Sequence, residues 1–375
     1  MGEILFSMLF FILDEHPEVL VQDEDCQLGR TVVIFHIYLF AVLICSNMCL
    51  KTLINSFKII QSIIGIVCIL LCAVIVDCSS PWQEWWMYEG VSGPHFWGKI
   101  HTKWILCSNG KNQSPINIEP KYLLFDPGLK SIDLVGNQVN GTLINKGTDL
   151  TFELDSTNKM FISSGPLSYT YKLHQIKFHF GGNDNIGSEH SVDGKFFAAE
   201  MQLMFFNSDL YRNFSHAVNL SRGIVILTIF IKIKDNETHK EFSKITTHID
   251  SVRYKGNKHD VNNLELLQLI PDSRQYMTYD GSLTQPSCEE TVTWIIMNRP
   301  IIIHRDQINA LRSLRQDMPE NPQALMFNNF RPIQLLHQRT VRTNINFADK
   351  GCSMQRDMQY KVNERITGNS KPNQY

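Results

Sequence analysis

Two short alternating runs place four side chains where metal chemistry could occur, and only one of them is a good ligand. A β-strand aims residues i and i+2 at one face. Lys177 and His179 stand in that relation in the run Lys172–Phe180, and Gln202 and Met204 do so in the run Glu200–Met204. Histidines at 177, 179 and 202 would form a catalytic zinc site with water as the fourth ligand. The residues present are Lys, His and Gln. A lysine ammonium has no free lone pair, a glutamine oxygen is a poor zinc ligand, and one imidazole does not hold zinc at useful affinity. The pattern predicts no metal, no cofactor and no metal-activated water. Recruitment of His174 or His190 into an atypical ligand set is the competing reading, although His174 has the opposite parity to His179 in an undistorted strand.

The elements that must carry these residues are strands. Leu150–Leu154 and Lys172–Phe180 alternate apolar and polar residues, as half-buried strands do, whereas 223–231 and 292–297 are nearly continuously apolar, as central strands are. Gly, Asn, Asp and Pro punctuate between them. Helical periodicity is scarce, and Asp306–Arg315 carries the best example. The expectation is one mainly β domain over 79–347 and a flexible polar tail over 348–375. The chain carries 35 basic and 37 acidic residues, which excludes the basic footprint of a nucleic-acid protein.

The apolar stretch 59–76 follows Lys51 and Lys58 and ends at Val76-Asp77-Cys78-Ser79. A charged start, an apolar run and a compact end read as a secretory signal over 48–78, with 1–47 an upstream extension or gene-model artefact. An uncleaved membrane anchor is the alternative. An N-terminal sequence of native protein mapping upstream of Ser79 would contradict the cleaved signal. Of nine cysteines, Cys107, Cys288 and Cys352 lie beyond the leader, and in an oxidising compartment two pair and one is left over. Sequons at Asn140, Asn213, Asn219 and Asn236 also fit a secreted glycoprotein.

Six ordered motifs resemble the α-carbonic anhydrases: Trp86-Met-Tyr88 with Gly93-Pro-His-Phe-Trp97, Gln113-Ser-Pro-Ile-Asn-Ile118, Gly187-Ser-Glu-His190, Tyr279-Asp-Gly-Ser-Leu-Thr284 and Asn329-Phe-Arg-Pro332. The resemblance implies a single domain of α+β class, with a large, twisted, mostly antiparallel sheet and a few short peripheral helices. It puts the zinc positions at Lys177, His179 and Gln202, the proton-shuttle position at Thr148, and the hydroxide-orienting pair at Thr284 and Glu189. Those two read as parts of a buried network that holds the fold regardless of metal. It also implies a narrowed pocket, with Met204 and Ile226 at valine positions, Leu283, Val292 and Trp294 retained, and Gln285 replacing a small hydroxyl residue. Asn112, a further sequon, is discounted because the following motif packs against the core.

The resemblance further implies a Cys107–Cys288 disulfide, worth roughly 4–5 kcal/mol on the chain-entropy model. The branch resembled is the secreted, acatalytic carbonic anhydrase-related group X and XI, through the metal-site losses and the runs Arg342–Phe347 and Gln359–Glu364. That branch carries an arginine at the first zinc position. Lys177 reads either as a cation kept in the metal's place or as an amine that turns to solvent. The implied function is a secreted protein ligand at the neuronal cell surface, with a neurexin-like partner and Cys352 as the linking thiol. Capping of Cys352 by a small thiol, and a homodimer, are the alternatives. The other functional reading is an active zinc carbonate dehydratase or esterase.

Overall fold

The computed structural model describes residues 86–320 and 324–346. The proposed leader, the start of the domain at 79–85 and the tail with Cys352 lie outside these residues. Among the described residues no helix is long and apolar enough to cross a membrane.

Fifteen strands are present among the described residues, and they carry more residues than the short helices do. They are β1 Asn117–Ile118, β2 Leu124–Phe125, β3 Ile132–Val135, β4 Gln138–Asn145, β5 Leu150–Leu154, β6 Phe161–Ser164, β7 Tyr171–Phe180 and β8 Ser191–Val192. They continue with β9 Ala199–Asn207, β10 Ile224–Ile233, β11 Lys258–Glu265, β12 Tyr276–Gly281, β13 Val292–Met297, β14 Ile301–Ile303 and β15 Arg342–Thr343. Thirteen form one sheet whose main path runs β11-β4-β5-β7-β9-β10-β13-β12-β15-β2, while β1 and β8 pair separately. Pairing is mostly antiparallel, with β10–β13, β10–β14 and β15–β2 parallel. The continuously apolar runs are the central strands β10 and β13, as expected.

The two faces of the sheet are used differently. On one, Phe152, Ile176, Phe178 and Leu203 pack with Phe242 and Ile245 of the helix Lys240–Thr246 and Ile308 and Leu311 of Arg305–Arg312. Phe178 is fully buried there, and truncating such a ring to alanine costs about 3–5 kcal/mol. The other face carries Met204, Phe206, Ile226, Phe230 and Trp294, and among them the polar residues of the site. The helix read at Asp306–Arg315 forms at Arg305–Arg312, capped at its start by the His304 side chain.

One irregularity sets the face of the critical strand. Between Leu173 and Gln175 the β7–β9 register shifts, so His174 is an inserted residue of a β-bulge. Leu173 and Ile176 then share the buried face although three positions apart, and Gln175, Lys177 and His179 share the other. The parity expected of His174 in an undistorted strand does not hold. Its ring stacks on Phe214 at 4.4 Å and meets Phe206 edge-on at 6.5 Å, on the site side of the sheet, and burial lowers its pKa.

Cys107 and Cys288 are joined as the resemblance implied, in a cluster with Trp97 and Trp104. Arg331 reinforces the same corner. Its guanidinium is buried and donates to Cys107 O at 2.7 Å, Gln113 Oε1 at 2.8 Å and Ser114 O at 2.9 Å. Burial brings its pKa down to about 10, with Glu189 and Tyr88 opposing. Replacing both cysteines by serine is expected to remove roughly 4–5 kcal/mol, read as a lowered urea midpoint. Equal midpoints for variant and parent would refute that contribution.

Candidate functional site

The site is built on neighbouring strands whose register brings distant residues level. Thr151 of β5, Lys177 of β7 and Gln202 of β9 are aligned, and Gln202 is in turn level with Thr228 of β10. Lys177 and Gln202 are direct cross-strand neighbours, whose Cβ atoms lie about 4.5–5.5 Å apart in such pairs. His179 is two residues along the same face.

Lys177 does not turn to solvent. Its ammonium donates to Asp149 Oδ2 at 3.2 Å and to Gln285 Oε1, and its side chain is 12% exposed against 2% for Asp149. The Gln285 amide nitrogen donates to the same Asp149 oxygen at 3.0 Å and to the Tyr88 hydroxyl at 2.9 Å. Burial alone would raise the Asp149 carboxyl, but Lys177, the Thr151 hydroxyl, Lys146 and Gln285 outweigh it and hold the group far below the usual carboxylate range. Tyr88 is pushed well above its ordinary value by burial and by Glu189 and Asp149. Lys177, Asp149, Gln285 and Tyr88 thus form one latch, which fixes the ammonium at the position that the resemblance assigns to the first zinc ligand.

Gln202 mends the network beneath. Its amide nitrogen donates to Glu189 Oε2 at 2.7 Å and Glu200 Oε1 at 2.9 Å, linking two buried carboxylates. A neutral imidazole carries a single N–H and could serve only one of them at a time. Glu189 Oε1 accepts from Arg331 N–H at 3.2 Å. The Thr284–Glu189 pair implied by the resemblance is not formed among the described residues: both Glu189 oxygens have other donors, and Thr284 lines a cavity instead. Glu200 also takes two bonds from His190, and although burial alone would raise its carboxyl, His190 and Gln202 hold it below the usual range. His190 is therefore engaged with Glu200 and with Tyr279 at 2.7 Å, away from a ligand role.

His179 keeps the ligand-like geometry alone. Nδ1–H donates to the Asn329 carbonyl at 2.6 Å, which leaves the buried Nε2 as the bare nitrogen without a partner. A zinc ion needs three or four such donors. Here the neighbours are a bound ammonium and a glutamine whose nitrogen is committed to carboxylates. The residues present do not fit zinc, and among the described residues no cluster of three or more His, Cys, Asp or Glu side chains is arranged to hold a metal ion.

Two cavities meet at the latch. The inner one, about 240 Å³, has Met204, Phe214, Ile226 and Leu283 on its apolar side and Lys177, Gln202, Thr284 and Gln285 on its polar side. Val292 and Trp294 are buried in the core behind it. The outer one, about 580 Å³, contains Thr148, half-buried in the turn before β5. Asn140, Asn213, Asn219 and Asn236 are all exposed. Asn112 is exposed too, and only Gln113 and Ser114 of its sequon are buried, so packing does not cover the asparagine itself.

The sequence alone marks neither Asp149 nor Tyr88 as a partner of Lys177, and it assigns no role to Glu200 or Arg331. The alternation Asp149-Leu-Thr151 at the start of a strand was the available signal for the first. Tyr88 and Arg331 depend on contacts across more than a hundred residues, whereas Glu200 meets His190 and Gln202 only ten and two residues away.

A family model described as eukaryotic-type carbonic anhydrase matches residues 92–345. A Caenorhabditis elegans protein whose name carries the words "carbonic anhydrase-like protein 2" is 40% identical over 271 residues, covering 70% of this chain and 80% of the relative. With the sheet, the buried Glu189–Glu200–His190 network and the ordered motifs, these matches establish that the chain belongs to the eukaryotic-type carbonic anhydrase family.

Proposed function

We propose that the chain is a secreted, catalytically inactive member of this family that acts as a protein ligand at the cell surface. The observation that carries the inactive half is the Lys177 ammonium, held on Asp149 and Gln285 where a zinc ligand would stand. Zinc-bound water reaches a pKa near 7 only because the cation stabilises hydroxide. Without that ion no group in the cavity supplies a nucleophile at neutral pH. The leader, the sequons and the disulfide support export.

The partner is an extracellular or cell-surface protein, neurexin-like by resemblance to the acatalytic branch, with Cys352 as the covalent link. Elemental analysis of the purified secreted chain after mild zinc exposure should find zinc near zero, with no CO₂ hydration above buffer. Zinc near one per chain with sulfonamide-sensitive hydration would overturn the inactive reading. Non-reducing gels of native extracts should show Cys352-dependent conjugates. Monomer alone, with Cys352 alkylatable, would remove the covalent link.

A further inference from the structure

We infer that the outer cavity is a docking cleft for an acidic, apolar-bearing peptide segment of a protein partner. This deepens the protein-ligand reading and rests on it. The cleft encloses about 580 Å³, within the range of sites that bury a ligand's side chains. Its lining carries four lysines, Lys146, Lys177, Lys255 and Lys258, against two carboxylates, Asp149 and Glu153, on a chain whose net charge is −2.

The two carboxylates are already matched. Asp149 holds Lys177 at 3.2 Å and Glu153 holds Lys146 at 2.7 Å. Lys255 and Lys258 have no ion-pair partner among the described residues. The Lys255 stem lies beside Gly147, where a Cβ would come within 2.8 Å of Lys255 Cδ. A concave wall with surplus positive charge concentrates anions.

The other walls are apolar. Met318 is 58% exposed and lines the cleft with Trp86 and Met87. A sulfated glycan would match the lysines and leave these walls unused. A peptide with carboxylates flanking an apolar side chain matches both.

The test is a titration of the secreted chain with the capped peptide Glu-Glu-Leu-Phe-Glu-Glu and with its Gln-for-Glu counterpart, followed by calorimetry and amide NMR. The acidic peptide should bind about tenfold tighter than the neutral one, and Lys255→Gln with Lys258→Gln should remove about that factor. Shifts should centre on 146–149 and 255–258, and added salt should weaken binding. Equal affinity for both peptides, an unaffected double variant, or stronger displacement by a heparin-derived tetrasaccharide than by the acidic peptide would overturn the inference. Zinc content and native conjugates, measured separately, decide the parent reading, so the two can fail independently. Lys255 and Lys258 are exposed, and matching urea midpoints for variant and parent confirm that folding is unchanged.

Discussion

Replacing Lys177 and Gln202 together by histidine is expected to yield a chain that binds one zinc per molecule. The backbone requirement is already met, because 177 and 202 are cross-strand neighbours and 179 lies two residues along the same face. His179 already has its Nδ1 anchored on Asn329 and a bare Nε2, as a zinc-ligating imidazole requires. An imidazole introduced at position 202 would find Glu189 and Glu200 waiting to accept its other N–H. Each single substitution should fail. Lysine left at 177 repels the ion, and glutamine left at 202 withholds a donor. Elemental analysis reads the result directly, and zinc at about a thousand times its Kd should stabilise the double variant by about 4 kcal/mol. A double variant that stays zinc-free while folded would show that the register does not bring the three side chains together.

Lys177→Met is expected to destabilise the protein by about 3–5 kcal/mol at neutral pH, the usual cost of removing one member of a buried ion pair. Asp149 would remain 2% exposed without its cation. Adding Asp149→Asn should recover most of the loss. The pH dependence has a definite sign. In the parent, the folded Asp149 pKa is depressed, so its stabilisation is complete above the unfolded carboxylate value of about 3.9. It is lost as pH falls below that value toward the folded one. In Lys177→Met, burial acts with Lys177 gone, the folded pKa rises, and the deficit shrinks as pH falls and Asp149 protonates. Urea midpoints at neutral and mildly acid pH check both signs. A pH-independent deficit would mean that Lys177 acts through packing and not through Asp149.

Strand identity was largely legible because burial leaves its period in the chain. The alternation through Lys172–Phe180 and the continuous apolar run of β10 each announced how many faces would be covered. The bulge at His174 was not legible, since one inserted residue leaves no compositional mark, yet it moves a histidine to the site side. That Lys177 and Gln202 are poor metal ligands could be read from residue types alone. The partners of Lys177 could not, because Asp149 and Gln285 are 28 and 108 positions away and their meeting depends on the order of strands in the sheet. Glu189 shows the same limit. Its place in a buried network was legible, but its donors are the Gln202 amide and the Arg331 backbone N–H, not Thr284.

The latch also bears on history. Its members are mutually dependent, since Lys177 neutralises Asp149 and Gln285 bridges Asp149 and Tyr88, while Gln202 separately ties the two carboxylates below. A single substitution toward a metal site would strand a buried charge or leave a cation against the incoming ion. Such an arrangement behaves as an evolutionary ratchet. With the ammonium and its acceptors in place, drift alone would have no downhill route to a metal site.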